Sequence, residues 1–138
     1  MKAASQAMVP VATLFVFSIV TGRAGDLSSL VREAQGGNLS AKLHVSGYYF
    51  NRAGDDLLDG NLLQQRLDKN RSLYWLMKSA RGGYPPAEST LGGDYLEGMG
   101  IQQSCARGLY WLRRAAAAGY VRARQFLNKP DMMGSCEE

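Results

Sequence analysis

The sequence of 138 residues has few of the side chains that build metal and nucleophilic sites. It contains one histidine, His44, and two cysteines, Cys105 and Cys136. A structural zinc site needs four such ligands, so the composition gives no basis for one. A general base needs a nucleophile and an orienting partner, and the residues around His44 form no such motif. We therefore expect no catalytic residue, no metal site and no cofactor.

Acidic residues are missing from one long stretch. None occurs between Gly98 and Pro130. That stretch instead holds six basic residues, which are Arg107, Arg113, Arg114, Arg122, Arg124 and Lys129. Asp55, Asp56 and Asp59 lie upstream, without the regular alternation of an EF-hand loop. We expect a basic edge on the last repeat and an acidic edge near 55–59. Both are consistent with solvated surfaces, and the basic edge is also consistent with a surface for an anionic partner.

A long apolar run occurs only near the N-terminus. Lys2 precedes the uncharged segment Met8–Val20, and small residues flank Arg23. This pattern predicts a signal peptide, residues 1–24, cleaved after Ala24. The alternative is an uncleaved membrane anchor, although the run is shorter than the roughly 20 residues of a spanning helix. The remaining chain has 14 basic and 12 acidic residues, so we expect no nucleic-acid partner.

Export would place the two cysteines in an oxidising compartment. An even pair in that setting predicts a disulfide between Cys105 and Cys136. Two free thiols are the alternative, because the sequence does not fix the distance between the two Cα atoms. Residues 131–138 are predicted to form a flexible tail. The expected location is periplasmic or secreted.

A repeated segment dominates the rest of the chain. SLYWLMKSARGGY at 72–84 is followed 36 residues later by GLYWLRRAAAAGY at 108–120. A fixed period of about 20–50 residues is typical of stacked helical repeats. We interpret both copies as the second helix of a repeat. Their Tyr-Trp pairs, Tyr74-Trp75 and Tyr110-Trp111, are then expected to pack between helices.

The first helices of the repeats are predicted upstream of these copies. Leu39–Ala53 has a helical apolar stripe and is expected to end at Gly54. Pro86–Gly98 is its counterpart. Its Gly92-Gly93 pair is expected to allow close approach of the partner helix, with Trp111 or Tyr110 occupying the space. The first repeat is ten residues longer between its helices. We place this insertion at 54–71 as a loop, and such insertions often lie on the binding face. An extra helical turn is the alternative, because Leu62, Leu63 and Leu67 make part of the segment amphipathic.

These residues together resemble the Sel1-like repeat family, which is similar to the tetratricopeptide repeat. The resemblance rests on ten signature positions: Ala87, Leu91, Gly92, Tyr95, Gly98, Gly100, Trp75, Trp111, Ala116 and Gly119. It implies an all-α, right-handed solenoid of antiparallel helix pairs over 25–130. The expected units are a half repeat 27–37, a repeat 38–83 with its insertion, a repeat 84–119 and a half repeat 120–128.

The resemblance also implies a bacterial, non-catalytic protein–protein interaction adaptor. A cysteine-rich branch of the family is linked with β-lactam hydrolysis, so a small cell-wall or β-lactam hydrolase is the alternative. The cysteines here are not paired within repeats as in that branch. The partner is expected to be a protein, with a possible anionic surface. Candidate contact residues are Asp55, Asp56, Asp59, Arg113, Arg114, Arg122 and Arg124.

Overall fold

The computed structural model describes residues 24–129, where the chain forms six α-helices and no strand. The predicted signal segment, Cys136 and the tail lie outside these described residues, apart from Ala24. The helices are α1 Ala24–Gln35, α2 Leu39–Leu58, α3 Leu62–Arg81, α4 Pro85–Glu97, α5 Cys105–Ala117 and α6 Val121–Leu127. None of the helices in this range is both long and apolar enough to cross a membrane.

Each helix packs mainly against its neighbours in the chain, as expected for a solenoid. The antiparallel pairs are α2 with α3 and α4 with α5, and α1 and α6 flank them. Three apolar clusters follow one another along the stack. The first centres on Val45, the second on Leu91 and the third on Leu112, and each of these side chains is almost completely buried. The all-α repeat architecture predicted from the sequence is therefore confirmed.

Tight glycine turns join most of the helices. Gly37, Gly60, Gly83 and Gly119 all have positive φ, between 73° and 104°. After each one, the next backbone N–H donates to the carbonyl five residues earlier, as in Tyr120 to Ala115 at 3.0 Å. This is the Schellman motif. Glycine adopts the left-handed backbone conformation that the motif requires, because it has no Cβ to clash. The turns direct each helix back along the preceding one.

The two helices of the second pair cross at glycines. A Cβ added to Gly92 would lie 3.0 Å from the carbonyl oxygen of Gly108 and 2.8 Å from Leu112 Cγ. A Cβ on Gly108 would lie 2.9 Å from the carbonyl oxygen of Gly92. The sequence-based expectation that Trp111 or Tyr110 needs this space is therefore wrong. It is the backbone of α5, together with Leu112, that approaches Gly92.

The first pair crosses at serines in the same register. Ser46 and Ser72 occupy the positions of Gly92 and Gly108, and their hydroxyls lie 3.2 Å apart in a buried contact. Each hydroxyl can satisfy the other, which removes the cost of burying a lone polar group. Two serine side chains need more room than two glycines. The first pair cannot have the close backbone contact of the second.

The structure corrects the predicted insertion at 54–71. Gly54 does not end α2, which continues to Leu58, and α3 already begins at Leu62. Both helices have 20 residues, whereas α4 and α5 have 13 each. The extra seven residues lengthen the hairpin by roughly 10 Å at 1.5 Å per residue. Only 59–61 is non-helical, so the insertion is a helical extension and not a loop.

A buried carboxylate fixes the base of this extension. Asp68 is fully buried, and Arg52 Nε lies 3.0 Å from its Oδ2. Arg71 Nη1 and Gln64 Nε2 donate to its Oδ1 at 2.9 and 3.2 Å. The Asp68 carboxylate is the main cause that raises the pKa of Arg52. A buried ion pair adds little net stability, but it disfavours other registers of α2 against α3, because these would leave the charge unpaired.

Substitution of the adjacent glycines tests the crossing. Gly92→Ala should lower the free energy of unfolding by about 1–3 kcal/mol, because the Cβ would clash with backbone. Gly93→Ala is the matched control, since its Cβ would meet only Phe126 Cζ at 4.0 Å. It should raise the stability by about 0.5–1 kcal/mol through helix propensity. Urea unfolding followed by circular dichroism measures both, and equal effects would show that the crossing is not tight.

Candidate interaction surfaces

The predicted acidic edge lies at the tip of the extended hairpin. Asp55 and Asp56 are in the last turns of α2, and Asp59 is its C-cap. Beside them is an exposed apolar group, in which Leu57 and Leu58 join the three leucines of the amphipathic segment noted in the sequence. We call it the leucine tip, and it consists of the exposed Leu57, Leu58, Leu62, Leu63 and Leu67. Leu58 is 86% exposed and Leu63 is 72% exposed. Paired leucines on both sides of a glycine turn were the available signal in the sequence.

The predicted basic edge is divided by the structure. Arg114 Nη2 lies 2.9 Å from Oε1 of the buried Glu88, so Arg114 neutralises a buried carboxylate of this protein. Glu88 and the hydroxyl of Tyr110 both raise the pKa of Arg114, with the Tyr110 hydrogen bond the larger cause. Arg113, Arg122 and Arg124 are exposed on α5 and α6. The structure does not bring them together with the acidic residues of α2.

The repeated Tyr-Trp pairs separate into two roles. Trp75 and Trp111 pack against apolar clusters, whereas Tyr74 and Tyr110 are 52% and 53% exposed. The rings of each pair meet edge to face, at 5.4 and 5.3 Å between centroids. Adjacent helical positions point about 100° apart, so both rings of a pair cannot face the core. The expectation that the tyrosines also pack inside is wrong.

The other signature residues have structural positions. Ala87, Leu91 and Tyr95 are in the buried core, and Ala116 packs at the edge of the third cluster. Gly98 caps α4 with φ of 71°, and Gly100 follows with φ of 70°. His44 is exposed on α2. Within 24–129, no group of three or more His, Cys, Asp or Glu residues could hold a metal ion. Cys105 is disulfide-bonded, and the predicted pairing with Cys136 stays a prediction.

The main concave feature of the described chain runs across the first helices of successive repeats, α2, α4 and α6. Three adjoining cavities form it, with volumes of about 400, 370 and 240 Å³. We call them together the central groove. Asp94 lines all three cavities, and Phe50 and Met99 line two of them. The three cavities therefore share lining residues across the boundary between the two repeats.

Apolar side chains are exposed inside this groove. Phe50 is 50% exposed and Met99 is 42% exposed, and Leu43, Leu73 and Phe126 contribute further apolar surface. Gly47 and Gly93 lie along it at equivalent positions of α2 and α4, and no packing contact requires either glycine. Helical glycines cost stability of about 1 kcal/mol each. Here they remove side chains from the surface and leave it open.

Asp94 has an unusual electrostatic environment. Burial, and to a lesser degree the neighbouring carboxylate of Glu97, together raise the pKa of Asp94 to about 6. No ion pair joins Asp94 or Glu97 to any cation among residues 24–129. The sequence analysis missed Phe50, Asp94, Glu97 and Met99. The equivalent glycines Gly47 and Gly93, each without a packing role, were the signal that could have indicated this face.

The raised pKa of Asp94 predicts a pH-dependent stability. Between about pH 4 and 6 the folded protein binds the Asp94 proton more tightly than the unfolded chain does, so stability falls as pH rises through this window. Asp94→Asn should raise the free energy of unfolding by about 1 kcal/mol at pH 7.5, after allowance for partial exposure. It should have little effect at pH 4. An equal effect at both values in urea unfolding would contradict the assignment.

Comparisons with known proteins agree with this architecture. No family model and no curated protein matches the chain. A solved structure, the Sel1 repeat protein from Oxalobacter formigenes, is similar, with 32% identity and a TM-score of 0.55. The match covers 71% of this chain and 66% of that one, just under two thirds of the other protein's length. The repeat signature, the stacked helix pairs and this match show that the chain forms a Sel1 repeat helical solenoid.

Proposed function

We propose that this protein is a non-catalytic adaptor that binds a segment of another protein in the central groove. The Sel1 repeat fold suggests protein interaction in general. The observation that carries the proposal is the central groove, in which the exposed apolar side chains of Phe50 and Met99 line the same cavities as Asp94. Large exposed apolar groups in a cleft are typical of binding sites. Solenoids commonly bind partners along such extended concave surfaces.

The leucine tip is the second surface to be compared with the groove. It exposes more apolar area per residue, but it is a convex end of a hairpin. A convex tip surrounds a bound segment on fewer sides than a groove does, and it excludes less water from the contact. We therefore place the primary site in the groove. The alternative hydrolase is not favoured, because no described set of residues combines a nucleophile with a base.

We further propose that the chain is exported and acts in the periplasm or outside the cell. The support is the sequence pattern of residues 1–24, with its basic start, its apolar run and the small residues before the expected cleavage site. Intact mass of the chain recovered from its producing cells tests this. The mass of a chain that begins at Gly25 would support export. The mass of a chain that begins at Met1 would contradict cleavage.

Photo-crosslinking from defined positions tests the location of the site. A benzoylphenylalanine is introduced in place of Phe50 in the groove, of Leu63 at the tip and of Tyr74 on the outer face. All three side chains are at least half exposed, so the exchange should preserve the fold. After irradiation in an extract of the source organism, position 50 should give a discrete crosslinked band that excess unlabelled protein competes away.

The other two positions are the matched controls. We expect them to give weak or uncompeted bands. A competed band from position 63 or 74, with none from position 50, would place the partner on the tip or on the outer face and would contradict the groove. Circular dichroism of the three variants confirms that each remains helical.

A further inference from the structure

The central groove contains two carboxylates that form no ion pair with any residue of 24–129. Asp94 and Glu97 stand one turn apart on α4 and both face the first two cavities. Within 24–129, no Lys, Arg or His nitrogen lies within ion-pair distance of either carboxylate. Two more deeply buried carboxylates do have basic partners, Asp68 with Arg52 and Glu88 with Arg114. Asp94 and Glu97 differ from these two.

The basic residues nearest to this acidic pair border the cavities and form no ion pair with it. Lys69 of α3 borders the second cavity, and Arg122 of α6 borders the first, together with Lys129 after it. Lys129 places its ammonium 5.5 Å from the centre of the Phe126 ring, where it has a cation–π contact. No titratable residue of α2 lines the three cavities. The burial that raises the pKa of Asp94 also shows that water solvates this carboxylate poorly.

Apolar surface lies directly beside the two carboxylates. The second cavity contains Asp94 and Glu97 together with Phe50, Leu73 and Met99. A long basic side chain has an apolar stem and a charged end, and it can cover apolar surface while its charge meets a carboxylate. An acidic peptide in this position would instead place its negative charges beside those of Asp94 and Glu97, where water solvates them poorly.

We propose that the central groove takes a polypeptide segment with a Lys or Arg side chain on Asp94 and Glu97 and a neighbouring bulky apolar side chain between Phe50 and Met99. This inference rests on the proposed function and specifies the chemistry of its partner. It differs from the anionic partner that the basic edge predicts from the sequence. A partner cation would supply the counter-charge that the two more deeply buried carboxylates have within the chain.

Selection from a random decapeptide phage library, at pH 7.5 on the purified protein, tests this chemistry. We expect the selected peptides to share a Lys or Arg next to an aromatic or branched aliphatic residue. A synthetic peptide of the enriched sequence should bind Asp94→Asn about tenfold more weakly than the parent protein. Asp55→Asn is the matched control, because it removes the same charge at the exposed tip, and it should leave the affinity unchanged.

The pH dependence gives a second readout. The affinity of the same peptide should fall by up to about tenfold between pH 7.5 and pH 5, because Asp94 is then largely protonated while the basic side chain keeps its charge. Asp94→Asn should lose most of this pH dependence. A peptide that binds the parent and Asp94→Asn equally at both pH values would overturn the proposal.

Phe50→Ser separates failure of this inference from failure of the proposed function. Selected peptides that lose binding to Phe50→Ser but carry no basic residue would keep the groove as the site and would refute the cationic partner. Peptides that bind Phe50→Ser as well as the parent would refute both proposals, as would a selection that enriches no sequence over an uncoated surface. Circular dichroism of each variant at both pH values shows that the fold is retained.

Discussion

The two helices of each repeat meet at a crossing of small residues, and the stacking of the whole solenoid depends on it. At Gly92 and Gly108 the two backbones come so close that each glycine leaves no room for a Cβ. This contact lets Leu96 and Leu112 bury themselves on both sides of the crossing.

The longer first hairpin shows what the fold permits once that crossing is in place. Its bases are in register with those of the second hairpin, and all additional residues lie at the far end. Asp68 is buried between α2 and α3. The equivalent position of the second repeat is Ser104, which follows the loop and is the N-cap of α5. Beyond it the helices expose leucines. The extension adds surface without changing the stack, which is how solenoids accommodate insertions.

The fold could be predicted from the sequence because its periodic signals are local. The Leu-Tyr-Trp-Leu segments, the glycine turns and the alanines of the second helices all recur at fixed spacing. The helical path through Gly54 could not be predicted in this way. A helical glycine costs about 1 kcal/mol, and packing of α2 against α3 compensates for that cost in a manner that no local pattern records. The sequence did contain a signal for the helix crossing, because Ser72 and Gly108 are small residues at the same repeat position.

The groove was less accessible to sequence analysis because its residues come from different repeats. Phe50 and Asp94 are 44 residues apart in the chain, and only the stacking of α4 on the first pair brings them to one cavity. The segment from Gly98 to Pro130 has basic but no acidic residues, and this pattern predicted a basic edge. Arg114 within it pairs instead with the buried Glu88. Charges with a structural partner and charges without one look the same in a sequence. Their distinction depends on burial and distance.

The central claim is that the groove, and not the leucine tip or the outer basic residues, contacts the partner. Backbone amide shift mapping by nuclear magnetic resonance, with a bound peptide titrated into the labelled protein, tests it most directly. The largest shifts are expected at Phe50, Asp94, Glu97 and Met99, with small shifts at Leu63 and Arg113. Shifts confined to the tip at 55–67, or to the outer face around Arg113, would contradict it.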